Sequence, residues 1–289
     1  MREILTAHPG DSLQHLFDSA PAGAEIRFPA GIWREKAVIR TPGLHLVGSG
    51  REETVFVFDD YALKKDSLGR DYNTFRTWTL AVCADGVVME HLSVVNDALS
   101  PEKKGQEVAL SVCGDAFQMH DCTLSSTQDT LFLGPLPPDL IERYNGFLPD
   151  ELRQPGLLRQ HFSRCHIEGT VDFIFGCGEA VFDSCEIRSL CDARDIGYAA
   201  APAHSLSQEE GFLFSHCNFT CAAGVTPGSI FLARPWRDYG LCRFKDCSYG
   251  PHIAPEGFDK WNDTQRDRTA RFYESPPTPG RVSWVNRPT

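Results

Sequence analysis

MHDCTL, residues 119–124, sets an apolar residue three places before a cysteine and another two places after it. The frame returns in FSRCHI (162–167), FDSCEI (182–187), FSHCNF (214–219) and FKDCSY (244–249), and MEHLSV (89–94) fits it with Leu92 at the cysteine position. The steps from Leu92 are 30, 43, 20, 32 and 30 residues. An irregular period of that size belongs to a solenoid whose coils carry loops of variable length, one coil per step. Between the frames, Val, Ile, Phe and Thr come in short runs broken by Gly, Asn, Asp and Ser, with almost no apolar pattern at helical spacing, so strands dominate. The exception is GDSLQHLFDSA (10–20), where Leu13, Leu16 and Phe17 share one helical face and Asp11 or Ser12 is the cap. A helix there covers the open end of a strand stack, which otherwise exposes unpaired backbone groups. Stacked coils of short strands with a helical cap describe an all-β fold, a parallel β-helix. The recurrent cysteines are then small apolar residues stacked along its interior.

The chain has 289 residues, 42% of them hydrophobic, enough to bury a full core as one globular unit spanning residues 1–289. No apolar stretch reaches the roughly 18 residues of a membrane span, and MREILTAHPG lacks the basic flank and apolar run of a secretory signal, so a cytoplasmic location is expected. The eleven cysteines are odd in number and include no CxxC pair, which favours reduced thiols and argues against zinc. A formal charge of -11 with no basic stripe excludes nucleic acid as the partner. The longest step, 43 residues, holds GPLPPDLIERYNGFLPDELRQPG (134–156), a Pro-rich excursion read as one wall of a cleft.

Aligned on their cysteines, two coils place an aspartate at the same offset, Asp129 seven residues after Cys122 and Asp172 seven after Cys165. Equal offsets in neighbouring coils put the side chains one strand spacing apart, about 4.8 Å. At an effective dielectric of ~20 the repulsion of two carboxylates at ~5 Å is ~3 kcal/mol, or roughly 2 pKa units, so one of them keeps its proton near neutral pH. An ionised carboxylate beside a protonated one is the equipment of a hydrolase. Polar ladders and turn-capping aspartates are the competing explanation, and Asp192, seven after Cys185, shows that the offset alone does not decide. The company does: Asp129 follows Gln128, and Gln106 lies one coil earlier, two amides able to donate to a developing oxyanion. Arg234 in FLARPWRDYG can hold Asp172 through a two-pronged hydrogen bond, and Trp236 can stack a sugar ring.

With these residues in view, the chain resembles the pectin methylesterases, through GIWREKAVI (31–39), GQEVAL (105–110), TQDTLF (127–132), GTVDFIFG (169–176), ARPW (233–236) and TARFYESPPTPG (269–280). IGYAAAPAHSLSQEEGFLFSHC (196–217) is nearer the bacterial members than the plant ones. The resemblance implies a right-handed, single-stranded parallel β-helix with an open cleft and no metal or cofactor. By position, it implies Asp172 as nucleophile, Asp129 as the acid that protonates departing methanol and then activates water, Gln106 and Gln128 as oxyanion donors, Arg234 as the residue positioning the nucleophile, and Trp236 and Phe175 as substrate-binding aromatics. Trp33, Ala233 and Cys177 depart from the family pattern, at places that touch packing and cleft shape. The partner is then methyl-esterified oligogalacturonide or pectin, met by a monomer. Because an acidic chain repels a polyanionic polymer within a Debye length of about 8 Å, short methylated oligogalacturonides are the expected substrate. A pectate lyase, a polygalacturonase and a non-catalytic carbohydrate-binding β-helix remain the alternatives. His91, His120, His161, His166 and His216 are read as solvent-facing strand residues without carboxylates at ligand spacing.

Overall fold

The computed structural model describes residues 2–98, 105–145, 148–153, 156–191 and 193–286. Its strands form three parallel sheets of ten, eight and seven strands, through which the chain winds in turn. One coil, for example, runs through Phe117–His120 in the first sheet, Thr123–Ser125 in the second and Leu131–Leu133 in the third. This is a parallel β-helix. First-sheet neighbours pair with offsets of 30 (Val88 with Gln118), 43 (Phe117 with Gln160), 20 (Arg159 with Glu179), 32 (Ala180 with Phe212) and 30 (Phe212 with Cys242), the same steps that separate the cysteine frames.

The frames mark the bend from the first sheet to the second. The residue before each marker, His91, Asp121, Arg164, Ser184, His216 or Asp246, has φ between 51° and 56°. That left-handed backbone turns the chain in one residue, and its N–H donates to the next coil, as Asp121 does to the Ser163 carbonyl (3.1 Å) and Asp246 to that of Ser275 (2.8 Å), so the bend leaves no orphan donor. Each cysteine then points inward, its Sγ donating to a carbonyl of the preceding coil: Cys165 to Met119 at 3.4 Å, Cys217 to Phe182 at 3.3 Å. Cys122, Cys165, Cys185 and Cys217 are buried, whereas Cys247 in the last frame is half-exposed; all eleven cysteines are free thiols.

Beside the cysteines, Phe162, Phe182, Phe214 and Phe244 stack with ring centroids 4.9, 4.7 and 4.9 Å apart, a column that parallel in-register pairing produces from one apolar position per coil. The column ends at Glu274, paired with Phe244 and buried, whose carboxylate accepts from Arg281 Nη2 at 2.9 Å and from the Thr278 N–H at 3.1 Å. At the other end the helix Leu13–Ser19 seals the stack with Leu13 and Phe17; Ser12, not Asp11, is its cap, and Leu16 is only half-buried. Trp33 packs edge-on against Phe28 at 5.4 Å.

The histidine reading needs correction. His91 and His216 occupy left-handed bends rather than strands, and His166 is half-buried between Glu168 and Glu186, each at 3.0 Å, so it does have carboxylate partners. Among the described residues no group of three or more His, Cys, Asp or Glu is placed to hold a metal ion, and no helix is long and apolar enough to cross a membrane.

Candidate active site

The outer face of the seven-stranded sheet floors an open cleft of about 540 Å³. Phe175 gives the floor its apolar surface, backed by its buried register partner Phe132 with centroids 5.2 Å apart, and Trp236 meets Phe175 edge-on at 5.7 Å. The excursion supplies a wall, as its sequence suggested, through Asp139, Leu140, Arg143 and Tyr144 on or beside the short helix Pro138–Arg143. Residues 146, 147, 154 and 155 of the excursion lie outside the described residues, as does Asp192.

All seven sequence-selected residues, Gln106, Gln128, Asp129, Asp172, Phe175, Arg234 and Trp236, line this one cleft. The pairing of Leu131 with Ile174 has an offset of 43 residues, which sets Asp129 level with Asp172, and the Asp129 N–H donates to the Val171 carbonyl at 3.1 Å. Both aspartates have left-handed backbones, φ 65° for Asp129 and 51° for Asp172. At Asp172 the register against the next strand, Gly197–Pro202, shifts between Val171 and Ile174. The bulge explains why Val171–Gly176 is buried throughout instead of alternating: Phe173 and Ile174 both enter the core, and Asp172 lines the cleft instead of the interior.

Asp172 is gripped by Arg234, with Nε to Oδ1 at 2.8 Å and Nη2 to Oδ2 at 2.6 Å. The sequence builds this grip simply. ARPW continues a sheet edge, with the Arg234 and Trp236 N–H groups donating to Ala200 and Pro202, and Pro235, which has no N–H, sits between them where no donor is needed. The Arg234 side chain crosses the Gly197–Pro202 strand, whose outer face there carries the small Ala201. Its guanidinium lies 3.7 Å from the Tyr198 ring centroid and 4.1 Å from that of Trp261. Neither ring was singled out from sequence, since an isolated Tyr or Trp carries no signal of what stacks on it.

Burial pushes both carboxyls above the ordinary aspartate range. For Asp129 burial is the largest cause, the Asp172 charge adds to it, and the carboxyl sits well above the usual range. For Asp172 the two hydrogen bonds from Arg234 oppose burial and hold the rise down. The sequence reading had the direction right but gave repulsion the leading part, which belongs to desolvation. Of the two, Asp129 therefore keeps its proton the more readily, and Asp172 is the better anion. Arg194, also unforeseen, donates from Nη1 to Gln128 Oε1 at 3.1 Å; a guanidinium only donates, so the amide nitrogen is turned the other way, toward Asp129, which it hydrogen-bonds.

A β-helix with paired carboxyls, amide donors and aromatic rings in one open cleft has the make-up of a carbohydrate hydrolase. The chain belongs to the pectinesterase family, whose sequence profile matches residues 11–134 and 154–286. It is 28% identical to probable pectinesterase 29 of Arabidopsis thaliana over 96% of this chain and 78% of that protein, and 28% identical to pectinesterase 31 of the same plant over 91% and 77%. Among solved structures it superposes on the pectin methylesterase PemA of Erwinia chrysanthemi with TM-score 0.78 and 26% identity, covering 94% of this chain and 87% of that one. The carrot pectin methylesterase, at 23% identity and TM-score 0.79 over 99% and 88%, shares the fold. The chain is thus a carboxylic ester hydrolase, and the lyase, galacturonase and non-catalytic alternatives are set aside.

Proposed function

We propose that the chain removes methyl groups from the C6 esters of galacturonate residues with Asp172 as nucleophile and Asp129 as acid and base. The observation that carries this reading is the two-pronged Arg234 grip on Asp172, level with a second, proton-retaining carboxyl in the same cleft. The Asp172 carboxylate adds to the ester carbonyl carbon, and the oxyanion accepts hydrogen bonds from the Gln106 and Gln128 amides. Collapse breaks the bond to methoxide, which takes the Asp129 proton and leaves as methanol, giving an anhydride between Asp172 and the sugar acid. Asp129, now ionised, takes a proton from water as that water attacks the sugar carbonyl; the bond to Asp172 breaks, and both carboxyls return to their starting states. Trp236 and Phe175 carry the sugar rings, an assignment supported by their place on the cleft floor.

Methanol release from methyl-esterified oligogalacturonides is expected for the wild type, in EDTA as well, and is expected to vanish in Asp172→Ala. Undiminished release by that variant would remove Asp172 from the chemistry. Short methylated oligomers in the cytoplasm are the proposed setting, supported by the charge of -11 and by eleven unpaired thiols. Turnover of long pectin equal to or faster than that of oligomers, or recovery of the chain from an extracellular fraction of its host, would overturn it.

A further inference from the structure

Two cysteines at the end of the seven-stranded sheet stand apart from the interior column. Cys83 and Cys113 each follow the last residue of a strand, Leu80–Val82 and Leu110–Val112, and these strands are parallel neighbours with Val82 opposite Val112. The Cys113 N–H continues the ladder, donating to the Val82 carbonyl at 2.7 Å. Register neighbours lie ~4.8 Å apart between Cα atoms, inside the span that a disulfide bridges. The side chains turn the same way: the Cys113 thiol hydrogen-bonds Cys83, and both line a cavity of about 400 Å³ together with Arg40, Asp85 and Leu157. Cys113 is buried and Cys83 half-buried, so Cys83 is the sulfur that a solute meets first. Column thiols such as Cys165 and Cys185 face the core instead.

The pair also sits at the neck of the cleft wall. A Cβ built on Gly134, the first residue of the excursion, would lie 3.0 Å from Cys113 Sγ, so the sulfur packs on that glycine. Leu157 and Leu158, just past the other end of the excursion, line the same cavity. Arg40, on the cavity wall, is ion-paired with Glu151 inside the excursion.

Resting on the esterase reading for its effect on activity, we propose that Cys83 and Cys113 are a redox pair, oxidised by a small disulfide such as glutathione disulfide, and that the bond between them displaces the cleft wall. The Cys83 thiolate attacks one sulfur of glutathione disulfide and releases a glutathione thiolate, leaving a mixed disulfide in the cavity. The released thiolate takes the Cys113 proton. The Cys113 sulfur then attacks the Cys83 sulfur and expels the second glutathione, which takes up the proton that Cys83 had lost. Two protein thiols are oxidised, and one disulfide is reduced to two thiols. The new bond draws Cys113 Sγ toward Cys83 and off Gly134, so the wall that begins there shifts and holds substrate less well, while the aspartates stay in place.

The test is peptide mapping by mass spectrometry of the folded protein held in glutathione disulfide and then alkylated, for the wild type, Cys83→Ser and Cys113→Ser. Methanol-release kinetics and calorimetric binding of a methylated oligogalacturonide run alongside. The wild type is expected to give a peptide bridged between Cys83 and Cys113 and a KM raised at least about threefold with kcat within about twofold, both reversed by dithiothreitol. Cys113→Ser lacks the second sulfur and should stop at a glutathione adduct on Cys83. Cys83→Ser should form no bridge and keep the KM of the reduced wild type in the oxidant. No bridged peptide in the wild type, a KM unmoved once bridging is complete, or a KM equally sensitive to the oxidant in Cys83→Ser overturns the inference and leaves the esterase reading standing. Bridging that weakens oligomer binding, with no methanol from either form, supports the redox pair and overturns the esterase reading.

Discussion

Asp172 pays for its position twice, with a left-handed backbone and with burial, and a non-glycine residue is kept in such a state only where its surroundings over-determine it. The surroundings are Arg234, two rings around that arginine, and a bulge. Arg234→Met removes both hydrogen bonds that oppose burial, so the Asp172 carboxyl should rise further. With Asp172 as the proposed nucleophile, the acid limb of the rate profile is then expected to move to higher pH, with kcat down on the order of a hundredfold. A profile of kcat against pH checks both; an acid limb unmoved in the variant would mean that Arg234 does not set the ionisation of Asp172. The level placement of the two aspartates was legible because equal offsets from a repeated mark survive any loop length between coils. The left-handed backbone was not, because aspartate tolerates several turn conformations and none leaves a spacing. Nor was the order of causes behind the Asp129 shift, since burial is a property of the assembled cleft.

At the scale of elements, the strand Val171–Gly176 depends on a residue outside it. A Cβ built on Gly169 would lie 2.3 Å from the Phe173 Cβ and 2.7 Å from the Thr130 hydroxyl oxygen. Gly169→Ala should therefore push Phe173 and carry Asp172, its neighbour, out of the Arg234 grip. About 1–3 kcal/mol of stability is expected to be lost in urea unfolding, typical of overpacking. The fall in kcat should exceed anything that the folded fraction accounts for; stability lost with kcat intact would show that the floor of the cleft does not position Asp172 for the reaction. The coils were readable because each repeats one apolar frame, and their pairing offsets equal the spacing of the frames. The helix Pro138–Arg143 was not: it has six residues, too few for a helical apolar period, and it is held by Leu140 in the apolar cluster beneath the cleft rather than by its own sequence. His166 was misread for a related reason in part: Glu186 reaches it only through the strand register, whereas Glu168, two residues on along the same strand face, was legible in the sequence.

Over the whole molecule, a net charge is a sum, and a sum carries no place; the -11 that sequence offers says nothing of arginines gathered on one wall. Acid stability has a similarly hidden source in His204, 1% exposed, which ties coils together rather than serving the cleft. Its Nε2 donates to the Gly178 carbonyl at 3.0 Å and its Nδ1 accepts the Leu241 N–H at 3.2 Å. Burial disfavours the charged imidazole and, with the Arg271 and Arg243 charges nearby, pushes its pKa down to about 4. In the unfolded chain it titrates near 6.5, so between these values the unfolded state binds more protons and stability rises with pH. The contribution, about 3 kcal/mol, is complete above pH ~6.5 and is lost as pH falls toward 4. His204→Gln, which offers one donor and one acceptor without titrating in this range, should flatten that part of the slope when unfolding free energies are measured from pH 7 to pH 4. Equal slopes in the two proteins would place the acid sensitivity elsewhere, among the paired carboxylates such as Glu274. There the sign is the same but the window is lower: the Arg281 and Thr278 hydrogen bonds outweigh burial and hold the pKa below its usual value, so that stability is lost only as pH falls through the carboxylate range.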